Sequence, residues 1–411
     1  MICVHWSDLG LEPTSEGVLE AGRVGGAMVG GDHHRVLDPA SGEPFATVGW
    51  AEAGAVDSAV AAARDAQPEW ASTAPRERAA ALRAIAEELR SLAEPLGSLI
   101  CAESGKRLEE AVAEVRFSAH YFDWFAEAGA RLDDGYFETA QRRFLIRHKP
   151  AGVVAAISPW NFPLSIPARK VAPALAAGCG VVQKPSELTP VSSLVLTAVC
   201  ERFLPQGLVN VLVGDGAVLT PALVDHSDVA VVTFTGSTQV GRRVAERAGR
   251  TFTHAVLELG GRAPFLVCED ADVAGAVEAL LIAKLRNNGA SCLAANNVFV
   301  HADVYDDVLT RVQERLSVLE VGDPRDPGTG LGPLIREAEV ARLGHHRVQA
   351  RHLGLPDEGA QPGAGATRIA DLQHRESLLD PGQHVVVDVG VHEHVVGCQA
   401  RCPVVAELGD E

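Results

Sequence analysis

Long apolar runs are missing from this 411-residue chain. No window approaches the roughly 18 uninterrupted apolar residues that a bilayer-spanning helix needs, so the sequence predicts no membrane segment. Positive charge is scarce as well: 36 lysines and arginines stand against 54 aspartates and glutamates, a formal net charge of −18. Proteins that hold a phosphate backbone gather lysine and arginine on one face, so this balance excludes nucleic acid and leaves a small molecule as the partner. A disulfide framework is also absent, because the eight cysteines are scattered from Cys3 to Cys402 without regular spacing. The opening MICVHWSDLG lacks the basic and apolar stretches of a secretory leader. Both features predict a reducing, cytoplasmic setting. What remains is 47% hydrophobic, ordinary globular composition with length enough for two or three packed domains.

Residues 1–35 are glycine-rich and read as irregular, followed by a turn at LDPASGEPFATV. From Ala53 to Trp70 and from Arg76 to Leu99, alanine and leucine recur at helical spacing between charged residues, which predicts two amphipathic helices. The middle of the chain alternates. GVVAAIS, GVVQK, LVNVLVG and VAVVTFTG are short apolar runs, separated by helical patterns that begin near Leu164, Thr189, Gly216 and Ser237. This alternation predicts an α/β fold with a parallel sheet covered on both faces, and such sheets bind ligands at the carboxyl ends of their strands.

Four stretches at those ends carry candidate chemistry, together with RNNGASCLAANN around Cys292. In VVTFTGSTQVG a strand leads through Gly236 and Ser237 into a helix whose free N–H groups attract phosphate, with Gly241 letting the helix lie close. In VVQKPSELTP, Lys184 and Glu187 at a strand terminus suit the two hydroxyls of a ribose, or form a surface ion pair. In ISPWNFPLSIPARK, Asn161 sits between Trp160 and Phe162 with prolines on either side. A rigid amide donor beside apolar rings suits an oxyanion, although asparagine is also a common turn residue. In VLELGGRAP, Glu258 ends an apolar stretch. A carboxylate leaving a buried strand has a raised pKa and can take a proton from water, or it can bind the neighbouring glycine amides. Cys292 taken alone is either a nucleophile or a small apolar filler.

Taken together, PWNFP, RKVAPALAAGC, KPSELTP, FTGST, LELGG and VGDPRDPGTGLGPLI, in this order, resemble the aldehyde dehydrogenase family, and most closely its succinate-semialdehyde dehydrogenase branch. The likeness runs from about Arg35 to Ile335. It implies a Rossmann-type cofactor domain at 1–132 and 150–257, an oligomerisation arm at 133–149 and an incomplete α/β catalytic domain at 258–344. It further implies oxidation of an aldehyde with NAD, or possible use of NADP, by a homo-oligomer. Cys292 becomes the nucleophile, Glu258 the base, and Asn161 with the Cys292 N–H the oxyanion hole. Trp160, Lys184, Glu187, Gly236, Ser237 and Gly241 line the cofactor site. Arg169 and Arg286 match positions that hold a substrate carboxylate, a task for which the guanidinium fork is suited. No metal is implied.

The pattern is not followed throughout. Ala290 stands where the family usually has glutamine, Leu285 where it has phenylalanine, Arg262 where it has asparagine or lysine, and Ala294 where the branch has a second cysteine. Residues 345–411 contain no lysine and seven histidines (His345, His346, His352, His374, His384, His392 and His394), without helical or strand periodicity. They read as a non-family tail of a different reading frame. The expectation is therefore either a working semialdehyde dehydrogenase or an inert relative that at most binds nucleotide or pairs with an intact one. GAGAT and CQARC in that tail lack the context of a phosphate loop or a metal site.

Overall fold

The computed structural model describes residues 6–11, 13, 17–19, 22–25, 27–28 and 32–341, and the backbone of 384–388. Where irregular chain was expected at the start, short strands form: β1 (Val18–Leu19), β2 (Gly22–Val24), β3 (Ala27–Met28) and β4 (His33–Leu37), followed by β5 (Pro44–Gly49). Their pairing explains the difference, since β2 joins the main sheet antiparallel to a later strand and β1 pairs with β5, contacts that local composition does not reveal.

Helix α1 (Gly54–Ser72) lies where predicted. The second predicted helix is two, α2 (Pro75–Ser91) and α3 (Ala93–Ser104), broken at Leu92. Gly105 ends α3 with φ 73°, a left-handed cap that favours glycine. A helix not read from the sequence, α4 (Leu108–Ala130), packs against α2 and α3. Its buried Val112, Val115, Ala119, Phe122 and Ala126 recur at helical spacing along one face. The hairpin of β6 (Gly135–Glu138) and β7 (Arg143–Ile146) then projects Tyr136 and Leu145 into solvent.

The alternating centre folds as predicted. Strands β8 (Val153–Ile157), β9 (Gly180–Lys184), β10 (Val209–Leu212), β11 (Val229–Gly236) and β12 (His254–Leu259) are parallel and alternate with α5 (Ser165–Ala176), α6 (Val191–Glu201), α7 (Gly216–Asp225) and α8 (Thr238–Thr251). With β2 and β3 they form one sheet in the order β12-β11-β8-β9-β10-β2-β3. Successive side chains face opposite sides. Val153, Ala155 and Ile157 of β8 join a core with α1, α7 and α8, whereas Val154 and Ala156 join the larger core with α2, α4, α5 and α6. Burial on both faces is why β8, β9 and β10 read as continuous apolar runs. The chain builds outward from β8 to β10, then returns to add β11 on the other side of β8. Strand order reverses there, and a crevice opens at the carboxyl ends.

Beyond β12, strand β13 (Pro264–Val267) pairs in parallel with β14 (Asn297–His301), and α9 (Val273–Leu285) and α10 (Ala302–Ser317) pack beside them. The reading of 345–411 as chain without strand character is corrected at His384–Asp388, which forms β15 antiparallel to β14. Edge pairing accounts for it: β14 offers an open row of backbone groups, and HVVVD is rich in the β-branched residues that suit a strand. The remaining tail histidines, GAGAT and CQARC lie outside the described residues.

Candidate active site

At the carboxyl ends of the strands, Lys184 closes β9 with its side chain buried and its Nζ 3.4 Å from Glu187 Oε2. Burial lowers the Lys184 pKa, while the charges of Glu187 and Asp215 oppose that shift. A Cβ at Gly216 would stand 3.1 Å from Lys184 Nζ. Beyond β11, which β8 separates from β9, Ser237 is the N-cap of α8, its hydroxyl accepting from Val240 N at 3.3 Å. Any side chain at Gly241 would run into Leu259, so glycine is what lets α8 lie against β12. Gly236 has a different reason: a Cβ there would meet the Phe234 ring at 2.6 Å. Thr235 Oγ1 is buried with no hydrogen-bond partner among the described residues. A lysine and a carboxylate at the end of β9, the Thr235 hydroxyl at the end of β11 and the free N–H groups of α8 form a set of donors and acceptors that fits a dinucleotide.

The loop after β8 carries Trp160 and Asn161, both half-buried. It is pinned from below. Lys106 Nζ donates to the Asn161 carbonyl at 2.9 Å, pairs with Glu114 at 2.5 Å in a buried ion pair and lies 4.6 Å over the Phe162 ring. Glu114 in turn accepts from Leu164 N and Ser165 N at 3.0 Å each, capping α5 with a charge its dipole favours. Thr189 Oγ1 donates to the Trp160 carbonyl at 3.1 Å. The Asn161 amide then reaches across the crevice, where Nδ2 donates to the Ala290 carbonyl at 2.6 Å. Cys292 stands two residues further on, exposed, in the turn begun by Ser291. The loop holding Asn161 and the loop holding Cys292 are thus joined by a direct bond between residues 129 apart in sequence. A small depression bordered by Lys106, Asn161, Ala290 and Leu334 lies against that bond.

Glu258 departs from the sequence argument. It sits on β12 opposite Thr235, but β12 is the sheet's edge and the carboxylate is exposed, so the burial assumed for it is absent. Its charge is felt by Lys170, whose Nζ donates to Thr233 Oγ1 at 2.8 Å. Burial pushes the Lys170 ammonium down to about 7, with Arg169 adding to the shift and Glu258 opposing it. Arg169 is half-buried and Arg286 exposed, and no bond joins them among the described residues. Lys106, Glu114, Lys170 and Asn287 were all missed in sequence. Their sequence neighbourhoods, such as AESGKRLEE around Lys106, carry no local signal that marks them off from surface charges. Glu269, His301 and Asp303 gather at the surface near the start of α10 and are the one group among the described residues with metal-ligating atoms close together. The His301 side chain is already engaged there in capping α10.

The sequence profile of the aldehyde dehydrogenase family matches residues 28–374. That match continues past Ile335, where the likeness was read as ending. The chain belongs to the aldehyde dehydrogenase family. This aldehyde dehydrogenase chain is 38% identical over 325 residues to the succinate-semialdehyde dehydrogenase (NADP+) of Escherichia coli, covering 78% of itself and 67% of that protein. It is also 38% identical to a glutarate-semialdehyde dehydrogenase of Pseudomonas putida, covering 76% of itself and 66% of the relative. The chain therefore spans about two thirds of the length of these curated relatives. The crystal structure of succinate-semialdehyde dehydrogenase from Burkholderia pseudomallei superposes with a TM-score of 0.80 at 37% identity, covering 85% of this chain and 75% of that one. No described helix is long and apolar enough to cross a membrane.

Proposed function

We propose that the protein oxidises a carboxylate-bearing semialdehyde, of the succinic semialdehyde type, to the acid with NAD or NADP as acceptor. The observation that carries this reading is the bond from Asn161 Nδ2 to the Ala290 carbonyl, because it sets an amide donor beside the exposed thiol of Cys292.

Lys184 and Glu187 would hold the adenosine ribose, Gly236, Ser237 and Gly241 the pyrophosphate, and Trp160 would border the cofactor. When bound, the nicotinamide supplies the acceptor for the hydride that turns a Cys292 thiohemiacetal into a thioester. The protein's own groups do the rest. The Cys292 thiolate adds to the aldehyde carbon, and the carbonyl electron pair moves onto oxygen. That oxyanion is met by the second N–H of Asn161 Nδ2 and the Cys292 backbone N–H. In the second half, exposed Glu258 takes a proton from water, hydroxide adds to the thioester carbon, and the thiolate leaves as the acid forms.

Arg169 and Arg286 would hold the distal carboxylate, a reading supported by the semialdehyde relatives. The Glu187 carboxylate repels a 2′-phosphate, which favours NAD over NADP. The exposed β6–β7 hairpin would serve as an arm between copies, with 1–132 and 150–257 as the cofactor domain and 258–344 as the catalytic one. The five cysteines among the described residues are free thiols, which supports a reducing, cytoplasmic setting.

The test is purified full-length protein mixed with succinic semialdehyde and NAD. Reduced cofactor accumulates, and Cys292→Ala abolishes it, a loss of about a thousandfold or more. Arg286→Ala lowers kcat/KM for this substrate more than for a simple aliphatic aldehyde, because it removes a charge-assisted contact that only the former makes. Failure to oxidise any aldehyde would leave nucleotide binding alone standing.

A further inference from the structure

Asn287, Asn288 and Gly289 follow one another with φ of 58°, 53° and 74°, three left-handed residues in a row immediately before the Cys292 turn. In that conformation a Cβ crowds the following carbonyl. Asparagine tolerates it better than most residues but does not hold it unaided, so the surroundings must impose it.

The surroundings do so through one buried amide. Asn288 Nδ2 donates to the Gly105 carbonyl at 2.8 Å and to the Pro333 carbonyl at 3.2 Å, while its Oδ1 accepts from Gly332 N at 3.0 Å. These partners come from two distant segments, the cap of α3 and the GPLI stretch after α10. At Gly332 a Cβ would strike the Gly105 carbonyl and come within 2.9 Å of Asn288 Nδ2, which is why that approach needs glycine. Asn287 adds two bonds, its N–H to Glu110 at 3.2 Å and its Nδ2 to the Asn161 carbonyl at 2.9 Å. The consequence reaches the chemistry through Ala290. Its N–H donates to the Asn287 carbonyl at 2.9 Å, and its carbonyl receives the Asn161 amide at 2.6 Å.

We propose that Asn288 is a positioning residue: by tying the left-handed turn to Gly105, Gly332 and Pro333 it fixes the Ala290 carbonyl, and thereby both the aim of the Asn161 amide and the stance of Cys292. This rests on the reading of Cys292 as nucleophile and Asn161 as oxyanion donor. The residue type is specific. Aspartate supplies the acceptor for Gly332 but no donor for two carbonyls, and glycine accepts the backbone conformation but makes none of the three bonds.

Asn288→Gly separates the amide from the backbone, since glycine is at ease at this φ. In the full chain, kcat for aldehyde oxidation should fall about tenfold or more while KM for the nucleotide stays within about twofold. Alkylation of Cys292 by iodoacetamide should change at least about threefold, with Cys268, the other exposed thiol among the described residues, unchanged as the internal control. Should N288G not fold, N288D is read in the same way. The proposal is overturned if kcat and Cys292 alkylation both remain within about twofold of the parent, whatever happens to the melting temperature. It is equally overturned if nucleotide binding and both thiols change together, which marks general loosening. If the parent oxidises no aldehyde, the proposed function falls, and the contrast between the two thiols decides the positioning role by itself.

Discussion

The sheet around β8 and the sheet around β14 differ in burial although they adjoin in sequence. Every residue of β8, β9 and β10 is buried, with helices on both faces. In β13 and β14 burial alternates, and Leu266, Ile282 and Leu293 stand 69%, 68% and 80% exposed. The first region holds the groups that fit a nucleotide, and the second presents the thiol. A closed core fixes strand ends to within a side chain's reach, which a charged cofactor requires. Cys292 is exposed, so in the proposed role of nucleophile its accuracy must come from hydrogen bonds rather than packing.

The sharpest test of this division crosses it. Asn161 belongs to the buried half and serves the exposed one, so Asn161→Ala should cut kcat by about a hundredfold to a thousandfold while nucleotide binding, measured by fluorescence titration, barely moves. A proportionate loss of both would mean that the two halves are not separate in function. A paired truncation comes next. Leu212→Ala, at a fully buried site in β10, should cost about 2–5 kcal/mol in urea unfolding, whereas Leu266→Ala, 69% exposed in β13, should stay within about 0.5 kcal/mol. Equal costs would show that Leu266 is covered under the conditions of measurement.

The smallest expected effect concerns the seam. Lys170 is buried with its pKa pushed down to about 7 from an ordinary 10.5. Below pH 7 it is charged in both folded and unfolded chains, and the penalty for burying that charge is complete. As pH rises through 7 the folded form loses the proton while the unfolded chain keeps it, so the fold gains stability with pH. Lys170→Met should therefore stabilise more at pH 6 than at pH 9, by roughly 2 kcal/mol. An increment independent of pH would place Lys170 in a wetter site than the structure shows.

Legibility follows the same boundary. Helices α5 to α8 begin within two residues of their expected starts, because apolar runs and turn residues are local signals. Helix α4 was not read although Val112, Val115, Ala119, Phe122 and Ala126 recur at helical spacing. Glu258 was placed correctly at a strand end and wrongly inside the core, since sequence shows that a strand is apolar but not that it lies at the edge.

By itself the sequence determined where the parallel strands and their helices lie and which residues stand, in order, at the strand ends. Those are properties of short windows, where side-chain period and turn propensity act. Only the tertiary structure decided that Asn161 meets Ala290, that Lys106 and Glu114 brace the loop beneath it, and that Asn288 gathers Gly105, Gly332 and Pro333 around one amide. Each of these contacts depends on strand order and loop closure over tens to hundreds of residues, and no local pattern encodes the distance between two loops.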